Sequence, residues 1–165
     1  MWCTPTDITA NNAKYLSATN QTISEKGLKH SSASLLPPGA LLLCTRATIG
    51  EIKIAAEPVC TNQGFKSLVC GPGASNEFLF YKLVTLKEKL RELGVGSTFL
   101  EVSRKDIASL EVPMPKLEEQ TAIATVTCSP KTDPATMRVR RPEMGKRRRT
   151  LDEEETHSRA DRPQA

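Results

Sequence analysis

Two prolines, Pro113 and Pro115, restrict this chain more than any other pair of residues in it. Proline cannot donate to a sheet ladder, so an apolar strand over 110–112 has to stop at Pro113. Pro115 suits the first turn of a helix, where its missing N–H is not needed, and Glu118 and Glu119 favour the positive end of that helix. The run Leu117-Glu118-Glu119-Gln120 is therefore expected to open a helix at about residue 116. Upstream, Ser103 followed three residues later by Asp106 is a capping box for a small helix over 104–110. A short strand over 99–102 precedes it, and before that comes a polar loop over 94–98 held between glycines.

The rest of the chain reads as support for this stretch. The longest helix is expected over 77–93, capped by Ser75 or Asn76 and closed by Gly94. Leu79, Leu83, Leu86, Leu90 and Leu93 fall three and four residues apart, an apolar stripe facing the core. Gly71-Pro72-Gly73 ends a sheet that lies before it. Residues 40–45 form an apolar run of strand length. Residues 47–56 continue it past a bend at Gly50, with Ile52 and Ile54 alternating with Glu51 and Lys53. Pro58 breaks the run, and 59–68 carries a further strand. Pro37-Pro38-Gly39 is a strong turn, and 11–34 is polar around Tyr15, Ile23 and Leu28.

Only 4% of the residues are aromatic and 38% are hydrophobic, so the core must rest on Leu, Ile and Val. At 165 residues the chain suits one modest domain. No window approaches the roughly 18 apolar residues of a membrane span, and no signal peptide is visible. Five cysteines, with no C-x-x-C pair among them, argue against a zinc site or a secreted disulfide frame and favour a reducing cytoplasm. The net charge of +4 invites a nucleic-acid reading, but its location weakens it. Residues 1–128 hold 13 Lys and Arg against 12 Asp and Glu, whereas 129–165 hold 10 against 7. DNA affinity in the body would have to come from local clustering.

No catalytic constellation is present in the sequence. His30 and His157 lie in polar stretches without a nucleophile beside them. Cys44, Cys60 and Cys70 lie in apolar runs and read as small core residues. Gly94-x-Gly96 lacks the helix and third glycine of a dinucleotide loop. No metal or cofactor motif occurs.

The ordered motifs resemble a known family. Gly96-Ser97-Thr98, then Val112-Pro113-Met114-Pro115, then Leu117-Glu118-Glu119-Gln120 are similar to the end of the target-recognition domain in the DNA specificity subunit of type I restriction–modification systems. Trp2-Cys3-Thr4-Pro5-Thr6-Asp7-Ile8, Thr45-Arg46-Ala47-Thr48-Ile49-Gly50 and Thr61-Asn62-Gln63-Gly64-Phe65-Lys66 match further signatures. The resemblance implies an α+β fold: a mixed β-sheet or meander with packed helices. It implies a domain over 1–126 that lacks the family's N-terminal part and includes the start of the family's conserved helix at 116–126. Residues 127–165 are expected to be a disordered tail foreign to the family, which points to a frameshifted or truncated gene fragment.

The function implied is sequence-specific recognition of double-stranded DNA, without catalysis or cofactor, in the cytoplasm. Methyltransferase and endonuclease subunits are the implied partners, directed to one half of a bipartite target. One alternative is the recognition domain of a single-chain restriction–modification enzyme. The other is a fragment that binds methyltransferase subunits through the 116–125 helix and no DNA. Candidate DNA contacts are Arg46, Thr48, Asn62, Gln63, Lys66, Ser97, Thr98, Arg104 and Lys105, since such side chains pair with base edges or phosphates. Each has a structural alternative. Asn62 and Gln63 equally suit a turn, Ser97 and Thr98 equally suit loop shaping, Lys105 suits a solvated surface, and Arg46 suits an ion pair with Glu51 or Glu57.

Overall fold

The computed structural model describes residues 1–96 and 100–128. The expectations for Ser97, Thr98, Phe99 and the 129–165 tail lie outside the described residues. A mixed four-stranded sheet carries the body, in the order β2 (Tyr15–Leu16), β4 (Ile52–Ala55), β3 (Leu41–Cys44), β6 (Phe65–Leu68). β3 is antiparallel to both neighbours, with Leu41 opposite Ile54 on one side and Leu68 on the other. β2 runs parallel to β4. A separate parallel pair joins β1 (Trp2–Cys3) to β5 (Cys60–Thr61). The result is a mixed sheet with helices packed on it, as the resemblance implied, rather than a simple meander.

The apolar run of β3 follows from burial on both faces. Successive strand side chains point to opposite sides. Leu41 and Leu43 enter one core with Ile52, Ile54, Phe78, Phe80, Leu83, Leu90, Val102 and Ala124. Leu42 and Cys44 enter another with Cys3, Ile8, Leu16, Ala55, Val59 and Phe65. The helices α3 (Asn76–Thr85), α4 (Lys87–Glu92) and α6 (Leu117–Thr127) cover the first face. The N-terminal segment with α1 (Pro5–Thr9) covers the second. Thr4 caps α1 through a reciprocal box with Asp7, whose other oxygen accepts from the Asn20 N–H at 2.9 Å. Lys14 ties this segment to α3: its Nζ lies 3.0 Å from Glu77 and over the rings of Tyr15 and Tyr81.

That second cover overturns the alternation read for β4. Lys53 belongs to a face that would be solvated in a half-covered sheet, yet it is 2% exposed. Its Nζ donates to the backbone oxygen of Asn11 at 3.2 Å and to Asn11 Oδ1 at 2.5 Å. Burial pushes the amine below the ordinary lysine range. The folded state thus releases its proton at lower pH than the unfolded chain. Stability from this group rises with pH between the lowered value and the ordinary value of about 10.4, and is diminished below that window. Lys53→Met is expected to melt at or above the wild-type temperature at pH 7, a gain of up to about 1 kcal/mol, and to flatten that pH dependence. Thermal melts across pH 7–10.5 check it.

Four further expectations need correction. The 77–93 helix is two helices, α3 and α4, broken at Leu86, whose backbone turns to φ −90° and ψ 7°. The break lets α4 dock on the turn at Gly50, where a Cβ would meet Lys87 Cγ at 2.6 Å with φ at +84°. Lys87 also pairs with Glu51. The buried face consequently includes Phe78, Phe80 and Tyr81 beside Leu83 and Leu90, whereas Leu79, Leu86 and Leu93 are only partly covered. Residues 110–112 form no strand: they pair with no strand among the described residues, and a strand exists only through a partner. In place of the expected strand, among the described residues 100–102 Glu101 alone makes β-bridges, to Arg46 and to Val95. Pro115 lies outside α6, whose N-cap is Lys116.

The caps read from sequence are present. Ser75 accepts from the Phe78 N–H, and Ser103 and Asp106 cap α5 (Arg104–Ala108). No helix among the described residues is long and apolar enough to cross a membrane.

Candidate nucleic-acid interface

The turn from β3 to β4 builds the first part of the site. Thr45 donates its N–H to the Gly64 carbonyl at 2.8 Å and accepts from the Val102 N–H at 3.0 Å. Three distant stretches therefore meet at one residue: 45–50, the β5–β6 turn, and 100–103. Arg46 follows on the surface. Ala47 after it holds a left-handed φ of 62°, a conformation that costs an L-residue about 1 kcal/mol and tends to occur where a side chain must be aimed.

Arg46 does not pair with Glu51 or Glu57. Its guanidinium grips Glu101 Oε2 through Nε at 3.1 Å and through Nη2, while Lys66 Nζ lies 3.1 Å from Oε1 of the same carboxylate. The hydrogen bond from Arg46, followed by that from Lys66, holds the Glu101 carboxyl below the ordinary range, so the cluster is two cations on one anion. All three side chains stay in contact with solvent, Arg46 at 41%. The backbone of Glu101 is fixed from both sides: it exchanges two hydrogen bonds with Val95, each 3.1 Å, and bridges to Arg46.

Lys66 and Arg104 line one groove with Phe65, Ser67 and Ile107. Arg104 and Lys105 are exposed on the first turn of α5. Gln63, exposed at the tip of the β5–β6 turn, lines an adjoining polar groove with Trp2, Ser34 and Asn62. Ser67 borders both grooves, and its buried hydroxyl has no hydrogen-bond partner among the described residues.

The structure thus brings Arg46, Lys66, Arg104 and Gln63 to neighbouring surface. It treats two other candidates differently. Asn62 Oδ1 accepts from the Gly64 N–H at 2.9 Å, which commits the side chain to the turn. Thr48 turns its hydroxyl into the protein, where the oxygen is buried. Glu101 is the residue that sequence reasoning missed. It lies 55 positions from Arg46, and no spacing rule links them.

The arrangement offers cationic donors and no nucleophile. Burial pushes the Cys3 thiol up to about 12 and the Cys44 thiol up to about 11, the opposite of an activated thiolate. No group of three or more potential ligands able to hold a metal occurs among the described residues.

Comparison with known proteins gives this geometry a context. The family model of the type I restriction modification DNA specificity domain matches residues 2–126. The chain is 39% identical over 127 residues to the type I restriction enzyme MjaIX specificity subunit of Methanocaldococcus jannaschii, covering 76% of this chain and 29% of that subunit. A chain from a structure of the type I restriction–modification system, solved for its complex assembly and conformational transition, superposes with a TM-score of 0.51 at 28% identity, over 56% of this chain and 23% of that one. The HsdS subunit of Thermoanaerobacter tengcongensis shares the fold, with a TM-score of 0.55 at 24% identity over 67% of this chain and 26% of that subunit. The chain therefore spans less than a third of the length of each of these relatives.

Proposed function

The chain belongs to the family of type I restriction modification DNA specificity domains, and from that premise we propose that it recognises double-stranded DNA sequence for a type I restriction–modification complex. In this reading the chain supplies no catalysis. It directs methyltransferase and endonuclease subunits in the cytoplasm to one half of a split target. The observation that carries the reading is the convergence of Arg46, Lys66 and Arg104, from three separate stretches, on one solvent-facing patch of a body that is otherwise close to neutral. Gln63 extends the patch, Lys105 is exposed next to Arg104 in sequence, and Ser97 and Thr98 are candidates on the sequence alone.

The fragment that binds only partner subunits is supported by a different surface. Met114, Leu117 and Ile123 are exposed apolar residues, and Met114 and Ile123 line a groove with Phe78 and Pro113. Salt-dependent binding of duplex DNA by the purified chain separates the two readings, since a surface made only for protein partners gives none.

The two cations are expected to behave differently. Lys66→Ala removes a point charge on a flexible stem. It should weaken all duplexes alike and reduce the slope of log affinity against log salt by about one. Arg46 carries a planar fork suited to guanine, so Arg46→Ala should cost about 1–3 kcal/mol on the cognate half-site and little elsewhere. Methylation rates on a duplex library, measured with the assembled complex carrying each substitution, read both effects. Unchanged rate and unchanged preference in both variants would remove this patch from the recognition surface.

A further inference from the structure

Glu101 is an unusual residue to find on a surface that meets DNA. A carboxylate there repels phosphates. Its ion pairs contribute little to folding, because partly exposed pairs are weak. Yet it is held at both its backbone and its side chain. Its backbone pairs with Val95 on one side and Arg46 on the other. Its two oxygens are divided between two cations, Oε2 for Arg46 and Oε1 for Lys66.

We propose that Glu101 is a specificity-determining residue of this face, which withholds the Arg46 guanidinium from indiscriminate phosphate contact and presents its fork to a base edge. The inference rests on the DNA-recognition reading above and adds the regulation of that same site. A phosphate that competes for either cation must approach a carboxylate held ionised between them. A guanine edge carries no net charge and offers two acceptors spaced for the guanidinium fork. When Arg46 turns to such an edge, one N–H of Lys66 stays on Oε1 while its other two remain available to a phosphate, so the carboxylate is never left without a cation. A random sequence supplies the phosphates but not the matched edge. The cluster therefore lowers affinity for random DNA more than affinity for the matching site, and discrimination widens without any new contact to the correct sequence.

The test uses the full 165-residue chain and two probes: a pool of random duplexes, and a duplex enriched from that pool by the wild-type chain. Binding is read by fluorescence anisotropy over a range of salt. Glu101→Gln keeps the shape and removes the charge. It is expected to bind the random pool about tenfold more tightly at low salt, with a salt slope steeper by about one to two. The ratio of enriched to random affinity should fall by about tenfold. Glu101→Asp keeps the charge and is expected to retain the weak random binding and shallow slope of the wild type. A merely structural Glu101 would leave slope and ratio alike in all three chains, and that result overturns the inference while leaving DNA recognition intact. If no chain shows salt-dependent binding to either probe, the DNA reading falls and the inference falls with it.

Discussion

Leu90→Asp is expected to abolish the cooperative melting transition. Leu90 is 1% exposed, in the core that joins α4 to the sheet through Ile52, Leu83 and Val102. An aspartate there either buries an unpaired charge or forces α4 off the sheet. Either outcome costs more than about 4 kcal/mol, against a total stability of about 5–15 kcal/mol for a domain of this kind. Leu83→Asp, 5% exposed in the same core, should act in the same way. Leu117→Asp supplies the control, because Leu117 is 45% exposed and should tolerate the change within about 0.5 kcal/mol. Circular dichroism melts of the three variants decide it. A wild-type curve for Leu90→Asp would mean that α4 is not docked on the sheet.

Gln120→Leu is expected to cost about 3 kcal/mol, although leucine is the more hydrophobic residue. The Gln120 side chain is 1% exposed and joins three segments. Its oxygen accepts from the Ser75 N–H at 2.8 Å, at the cap of α3. Its amide donates to the Gly73 carbonyl at 3.1 Å and to the Pro115 carbonyl at 2.7 Å. Leucine leaves all three backbone groups without this partner. Gln120→Glu supplies an internal check. An ionised carboxylate still accepts from Ser75 but faces two carbonyls it cannot donate to. The variant should be destabilised at pH 7. The carbonyls raise the folded-state pKa of the new carboxyl, so its stability is greatest below the unfolded value and is lost as pH rises through the folded one. Melting at pH 4 should therefore recover part of the loss, because the protonated acid regains a donor. Equal melting of Gln120→Leu and the wild type would show that the clamp contributes nothing.

The glutamine also shows how far sequence reading reaches. The order Pro-x-Pro, then Leu117-Glu118-Glu119-Gln120, marked a helix start and a family. It did not reveal why a glutamine ends the motif. That reason lies 45 residues upstream, in the backbone of the 71–75 turn. Caps behaved differently. Ser75, Ser103 and Asp106 were legible because a helix cap closes within four residues. The double burial of β3 was legible because four consecutive apolar residues leave no polar face. The break at Leu86 was not, because the leucine spacing runs through it unchanged and only the docking of Lys87 against Gly50 requires it. Among the candidate contacts, Arg46 and Lys66 were chosen for their chemistry. The carboxylate that organises them was overlooked because it is unremarkable in its own neighbourhood.

Local interactions explain the division. The sequence by itself determined the family, the main turns, the helix caps and the central strand, since each depends on residues within a few positions of one another. Tertiary structure alone decided that Lys53 is buried beneath Asn11, that Gln120 clamps the α3 cap, and that Arg46 and Lys66 share Glu101. Those contacts join residues separated by 35–55 positions. Chain folding, and not local propensity, sets which polar group reaches which, because a buried or paired polar side chain is satisfied by whatever the packing brings within hydrogen-bond distance.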